Sequence, residues 1–346
     1  MKYYSYLFIF IAFVVLTSCS GKKGGETAPS PEVTVAPAPQ PEIVVPAETS
    51  LLLKDLKENG DYVNSQNFPS LIKASIVHES LESNILVVDL RSPELFRKGH
   101  IKGAVNKKFS DLPGYFESGI KPFEFDKIIM VCENGAIASY TTSLLRLMGY
   151  GNVYAMRWGM SAWNKSYADE GWLKNVSGKY EPKLENTVNE RVPGTTMPDL
   201  RTGLPTGEEI SQARFKKLFE EGTSNVLISA DEVFSDPSKY YIVNLERKDK
   251  YEDGHIPGAV RYKPESTLGF PEEMASIPAD KTVVVYCGTG HNSGFATAYF
   301  RLFGYDARTL NYGNNGFMYN KMVSQRAQLS WLPFTTEDVN NFEVVK

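Results

Sequence analysis

The sequence predicts an α/β protein built from two tandem copies of one domain, each a parallel sheet with helices on both faces. The first observation is an internal sequence repeat. Residues 99–105 read Gly-His-Ile-Lys-Gly-Ala-Val, and residues 254–260, at an offset of 155, read Gly-His-Ile-Pro-Gly-Ala-Val. The same offset relates Cys132 to Cys287, and one offset shared by separate blocks indicates a duplication. The second observation is that apolar strand-like runs alternate with helical stretches, which favours a parallel sheet covered on both sides.

Local sequence patterns predict the helices and strands of the first copy. β-branched apolar runs predict buried strands, and glycines that follow periodic stretches predict helix ends. Helices are predicted at 51–57, 93–98 and 139–148, and strands at 85–90, 127–131 and 153–156. Three tryptophans follow the last strand, and we expect them to pack over the sheet: Trp158, Trp163 and Trp172.

The second copy has matching elements. Helices are predicted at 208–221 and 293–303, and strands at 240–245 and 281–286. Ligands of open parallel sheets bind beyond the carboxyl ends of the strands. Cys132 and Cys287 each directly follow a predicted strand, so both are expected at that edge.

The resulting domain plan has five parts. A signal peptide at 1–19 is followed by a proline-rich tether at 20–50, which is typical of an extended spacer. The first domain covers 51–177 and the second 208–335. Between them, residues 178–207 form a proline-punctuated linker that exceeds normal loop length, so we expect it to follow a domain surface.

The N-terminus predicts lipid anchoring outside the cytoplasm. An apolar run at 3–16 follows Lys2 and is shorter than the about 20 residues that span a bilayer. The run ends in Leu-Thr-Ser-Cys, which resembles a bacterial lipobox and implies acylation of Cys19. The cell envelope is then the expected location, in the outer or the cell membrane and on the periplasmic side of a Gram-negative cell. The alternative is an ordinary secretory signal in which Cys19 is incidental.

The composition of the chain indicates which classes of partner are not expected. The formal net charge is -4 and no Lys/Arg-rich run is present, so nucleic acid is not an expected partner. No Cys/His group has metal-ligand spacing, so no metal is expected. Cys132 and Cys287 could form a disulfide in an exported protein, but equivalent sites of two domains do not usually face each other within the about 7 Å that a bridge needs.

The two cysteine loops suggest reactive thiols. A glycine loop that leads into a helix can direct several backbone N–H groups at one sulfur, and the helix N-terminus adds partial positive charge. Such surroundings lower a cysteine pKa and allow the thiolate to attack or carry sulfur. The alternative for each thiol is a buried cysteine with a structural role only.

On these motifs the chain resembles the tandem rhodanese-domain sulfurtransferases. The resemblance rests on Asp-Leu-Arg-Ser-Pro-Glu at 89–94, the two Gly-His-Ile-x-Gly-Ala blocks and the two cysteine loops. It implies transfer of sulfane sulfur from a donor such as thiosulfate, through a cysteine persulfide, to a thiophilic acceptor. It also implies that no cofactor is needed and that the partners are a small sulfur-containing anion or a thiol.

The two copies differ in ways that favour Cys287 as the catalytic residue. The loop of copy two is predicted to bind the substrate, and His291 within it could add charge or a hydrogen bond near the sulfur. Its residues are Gly288, Thr289, Gly290, His291, Asn292 and Ser293. In copy one Glu133 stands beside Cys132 and would raise the pKa of its thiol, so Cys132 is the weaker candidate. Asn244 and Glu246 stand where copy one has Asp89 and Arg91, and this difference is expected to affect the rigidity of the second site but not its chemistry directly.

Arg157 could face an anionic donor or the solvent, and His100 and His255 are expected to make structural hydrogen bonds. A cysteine phosphatase is excluded, because the Arg it needs six residues after the cysteine is Ala138 or Ser293 here. The alternative to a transferase is a non-catalytic rhodanese-fold module for binding or redox sensing.

Overall fold

The structure is a computed structural model that describes residues 42–192, 194, 196–263 and 268–346. Cys19, the predicted signal peptide and most of the predicted tether lie outside the described residues. Within the described part of the chain, no helix combines the length and the apolar character needed to cross a bilayer.

Two parallel five-stranded sheets confirm the predicted α/β class. The strands are β1 (Leu71–Ile72), β2 (Ile85–Asp89), β3 (Val105–Asn106), β4 (Lys127–Val131), β5 (Val153–Met156), β6 (Leu227–Ile228), β7 (Tyr240–Asn244), β8 (Val260–Arg261), β9 (Thr282–Tyr286) and β10 (Ala307–Leu310). The first sheet has the order β1-β5-β4-β2-β3 and the second β6-β10-β9-β7-β8, which is the same order repeated. The duplication read from the sequence is therefore a duplication of topology.

Helices connect the strands and cover both faces of each sheet. Those of the first copy are α1 (Ala47–Asn59), α2 (Ala74–Glu79), α3 (Pro93–Lys98), α4 (Leu112–Gly114), α5 (Ala136–Leu147), α6 (Met160–Trp163), α7 (Lys165–Glu170) and α8 (Trp172–Asn175). Those of the second copy are α9 (Gly207–Glu221), α10 (Ala230–Ser235), α11 (Lys248–Asp253), α12 (Pro271–Met274), α13 (His291–Leu302), α14 (Tyr319–Ser324) and α15 (Arg326–Leu329). The helix α1 begins at Ala47, so the last residues of the segment predicted as tether are helical.

One hydrophobic core joins the two copies. It contains Leu144 of α5 and Phe295 of α13, both fully buried, and Ser143 Oγ donates to the carbonyl of Phe295 at 2.9 Å. The outer face of each sheet has a core of its own. The tryptophans 158, 163 and 172 are buried in that of the first sheet, which confirms that they pack over it.

The chain between and after the copies follows their surfaces. In the predicted linker, Glu185 pairs with His255 through main-chain hydrogen bonds of 3.0 and 2.8 Å. At the other end of the chain, His100 pairs with Val345. The C-terminal segment thus leaves the second copy, passes Trp331 and returns to the first copy.

Candidate active site

Both cysteines follow a strand at its carboxyl end and precede the helix that leads back along the sheet. Cys132 follows β4 and Cys287 follows β9. Gly135 and Gly290 stand just before α5 and α13 with φ of 93° and 81°, a left-handed conformation that favours glycine. In each copy the turn brings an amide of the first helical turn to the sulfur, from Ala138 in copy one and from Ser293 in copy two. The two loops therefore have the same local geometry.

Cys132 is closed off from solvent. Its Sγ accepts hydrogen bonds from the amides of Gly135 at 3.1 Å and Ala138 at 3.3 Å. Burial nevertheless raises the pKa of Cys132 to about 12, and the Glu133 carboxylate adds to the rise. At neutral pH this thiol is protonated, which agrees with the effect predicted for Glu133.

His291 covers the loop of copy one rather than the sulfur of copy two. Its Nε2 lies 3.1 Å from the carbonyl oxygen of Asn134 and 3.2 Å from the amide nitrogen of Trp158, and its Nδ1 lies 2.8 Å from Thr289 Oγ1. The ring is fully buried, and this burial lowers the pKa of His291 to about 3. His291 was expected to add charge or a hydrogen bond near the sulfur of Cys287. The charge is contradicted because the buried ring is neutral, and the ring nitrogens contact Asn134, Trp158 and Thr289 instead of the sulfur.

Cys287 differs from Cys132 because it lines a cavity of about 180 Å³. Its Sγ accepts a hydrogen bond from the amide of Ser293 at 3.4 Å and lies 3.6 Å from Ser293 Oγ. Among the other residues of the predicted substrate loop, Gly288, Thr289 and Asn292 line the cavity. Since a water molecule occupies about 30 Å³ in the liquid, this space suits a molecule of only a few heavy atoms.

Charged groups from both domains surround the cavity. Arg157, just after β5 of the first copy, is one of them, and Glu246 and Lys250 of the second copy are the others. Lys250 Nζ lies 3.4 Å from Glu246 Oε2. Burial raises the pKa of the Glu246 carboxyl, while Lys250 and the Gly288 amide act in the opposite direction. An anion beside Cys287 would therefore meet two cations and one carboxyl group.

Three residues of the cavity lining were not predicted from the sequence as site residues: Glu246, Lys250 and Trp331. Trp331 is 2% exposed and lines the cavity, and Lys250 Nζ lies 4.6 Å from the centroid of its ring. The indole Nε1 has no hydrogen-bond partner among the described residues. The sequence shows only that Glu246 stands where copy one has Arg91. The consequence of this difference depends on where the Glu246 side chain points.

The two copies differ in the side chains at and just after the end of their first long strand, at residues 89 and 91 of copy one and at residues 244 and 246 of copy two. Arg91 and Asp89 form a buried ion pair of 2.6 Å, and Arg91 Nη2 donates to the carbonyl of Gly99 at 2.8 Å. In copy two Asn244 Oδ1 accepts the amide of Glu246 at 2.7 Å, and the Glu246 side chain turns to the cavity instead. Copy two therefore has a carboxyl group in the cavity beside Cys287 where copy one has a buried ion pair, so the difference is not confined to the support of the loop.

The remaining histidines and a larger cavity lie outside this site. Nδ1 of His100 lies 3.0 Å from the carbonyl oxygen of Phe96, and Nδ1 of His255 lies 2.7 Å from that of Tyr251, which confirms the predicted structural hydrogen bonds. A cavity of about 880 Å³ between α1 and α9 contains neither cysteine. Both cysteines of the described residues are free thiols, as expected.

Comparison with known proteins identifies the family. The rhodanese-like domain family matches residues 73–166 and 229–319, which is more than half of the chain. The chain belongs to this family, as a tandem of two rhodanese-like domains.

Individual relatives match parts of the chain. Thiosulfate sulfurtransferase 16 of Arabidopsis thaliana is 30% identical over 107 residues, which cover 28% of this chain and 89% of that protein. A tRNA uridine(34) hydroxylase of Aster yellows witches'-broom phytoplasma is 24% identical over 139 residues, covering 39% of this chain. The chain spans about two fifths of the length of such hydroxylases, 42% in this case. These matches support a rhodanese-type function related to sulfur.

A solved structure matches most of the chain. It is the 3-mercaptopyruvate sulfotransferase SseA from Escherichia coli, with 15% identity and a TM-score of 0.25 over 70% of this chain and 97% of that chain.

Proposed function

We propose that the protein is a sulfurtransferase that carries sulfane sulfur as a persulfide on Cys287. The observation that carries the proposal is the difference between two equivalent cysteines. Cys287 opens into a small cavity with Arg157 and Lys250, whereas burial keeps Cys132 protonated at neutral pH. The second copy is therefore the catalytic one, and the first copy contributes Arg157.

The proposed reaction has two steps. The thiolate of Cys287 attacks the outer sulfur of a donor such as thiosulfate, the donor's S–S bond breaks, and its electron pair leaves with sulfite. An acceptor then attacks the outer sulfur of the persulfide, and the electron pair of that S–S bond returns to Cys287. Arg157 and Lys250 stabilise the donor's charge, since charge-assisted hydrogen bonds are stronger than neutral ones.

We propose a small sulfur-containing anion or thiol as the substrate rather than a nucleic acid. The cavity of about 180 Å³ and the net charge of -4 support this choice. The name of the relative from Arabidopsis thaliana, a thiosulfate sulfurtransferase, supports thiosulfate as the first donor to test.

Steady-state kinetics of two variants test the proposal. Transfer from thiosulfate to cyanide or to a thiol should vanish in Cys287→Ser and persist in Cys132→Ser, which is the matched control. Equal activity in both variants would refute the assignment of roles. Absence of transfer in the unmodified protein would favour the non-catalytic binding or redox-sensing module.

We also propose that acylation of Cys19 holds the protein on the outside of a cell membrane. The sequence Leu-Thr-Ser-Cys after an apolar run supports this location, and two or more acyl chains would anchor it stably. Metabolic labelling with a radioactive fatty acid tests it, since Cys19→Ser should abolish the label. Label that persists in Cys19→Ser would rule out that attachment site.

A further inference from the structure

The carboxyl group of Glu246 is the feature of the cavity that sulfur binding alone does not explain. Its side chain is only 9% exposed, and it shares the cavity with the thiol of Cys287. A Cβ built on Gly288, the residue after the cysteine, would lie 3.1 Å from Glu246 Oε1. In its ionised form this carboxyl group would repel an anionic donor, so donor binding does not explain its place in the cavity.

The same region of copy one lacks this group. The offset of 155 places Arg91 at the position of Glu246 and Leu95 at the position of Lys250. In copy one the guanidinium is held by Asp89 and the Gly99 carbonyl, so this position carries a paired cation instead of a carboxyl group. The Glu-Lys pair therefore occurs only beside the cysteine that opens into the cavity.

We propose that Glu246 is a catalytic residue that accepts the proton of the incoming acceptor thiol, an inference that rests on the proposed function. The S–H bond of the acceptor breaks and its proton moves to a Glu246 oxygen as the acceptor sulfur attacks the outer sulfur of the Cys287 persulfide. The S–S bond breaks and its electrons go to Cys287 Sγ. The proton held by Glu246 then neutralises Cys287 or leaves to solvent, so the step needs no further reactant.

The groups around Glu246 suit a carboxyl that gains and loses a proton. Burial favours its neutral form, whereas Lys250 and Arg247 on its own segment favour the carboxylate. Arg157 faces the same cavity from the first copy. Arg261 Nη1 lies 3.5 Å from the Glu246 carbonyl oxygen. A carboxyl group with a raised pKa is a better proton acceptor, and general acid–base catalysis contributes about 10²–10⁴-fold.

Single-turnover discharge of preloaded protein tests the proposal. The unmodified protein and Glu246→Gln are loaded with thiosulfate, and excess donor is removed. Each protein is then mixed with a thiol such as dithiothreitol and quenched at increasing times. Mass spectrometry measures the fraction of protein that still carries the added sulfur. We expect Glu246→Gln to load fully but to transfer sulfur to the thiol about 100-fold more slowly. Transfer to sulfite, which has no thiol proton to lose, should not slow. Glu133→Gln, which changes a carboxyl outside the cavity, is the matched control and should discharge normally.

The pH dependence separates proton transfer from a structural role. Below the pKa of the acceptor thiol, the rate of Glu246→Gln should rise about tenfold per pH unit with the thiolate fraction, whereas the unmodified protein should show a shallower rise. Glu246→Asp should restore part of the shallow profile. Equal slowing with thiol and sulfite, or parallel pH profiles, would overturn the role of Glu246. No sulfur adduct on the unmodified protein would instead overturn the proposed function.

Discussion

His291 should make the stability of the folded protein depend on pH. Its pKa is about 3 in the folded chain because of burial and about 6.5 in an unfolded one. Between these values the unfolded chain takes up a proton that the folded chain does not. The contribution of His291 to the free energy of unfolding is therefore fully present above about pH 6.5 and is lost as the pH falls toward 3. From pH 7 to pH 5 the loss from this one group is about 2 kcal/mol.

Urea unfolding of the full chain and of His291→Asn at both pH values measures this term. The asparagine does not titrate, so its loss of unfolding free energy between pH 7 and pH 5 should be smaller by about 2 kcal/mol. Other titrating groups contribute equally to both proteins and cancel in the difference. An equal loss in the two proteins would show that His291 is not buried as a neutral ring between the domains.

Three further predictions concern single residues. Cys132 should resist iodoacetamide at pH 8 in the folded protein while Cys287 is alkylated, because the pKa of Cys132 is about 12; peptide mapping that finds Cys132 modified first would contradict this. Arg157→Met should lower kcat/KM for thiosulfate by about 10- to 100-fold, since a hydrogen bond to a charged group contributes about 1.5–3 kcal/mol, and unchanged kinetics would place Arg157 outside the donor site. Arg91→Met should destabilise the chain by about 3–5 kcal/mol in urea unfolding, because it leaves the carboxylate of its partner Asp89 buried and unpaired; a change within error would refute that expectation.

The central strands and the helices after the cysteines were predictable because their patterns are local. The strands β4 and β5 have the predicted bounds, and β2, β7 and β9 differ from them by one residue at one end. The predicted helix 139–148 begins three residues earlier, at Ala136. The short edge strands such as β1 and β6 have two residues each, too few for a periodic pattern to be visible.

The lining of the cavity was only partly predictable, because residues far apart in the chain form it. Cys287 and its loop were visible as a motif, but Arg157 comes from the other domain and Trp331 from the chain after the second sheet. Their convergence depends on how the two domains pack. The neutral state of His291 likewise follows from packing, since its partner Asn134 is 157 residues away.

The persulfide itself is the most direct test of the account. Intact and peptide mass spectrometry of the full chain after incubation with thiosulfate should find one added sulfur atom, on the peptide that contains Cys287, and none on that of Cys132. A sulfur adduct on Cys132 alone, or no adduct on either thiol, would contradict the claim that the second domain carries the sulfur.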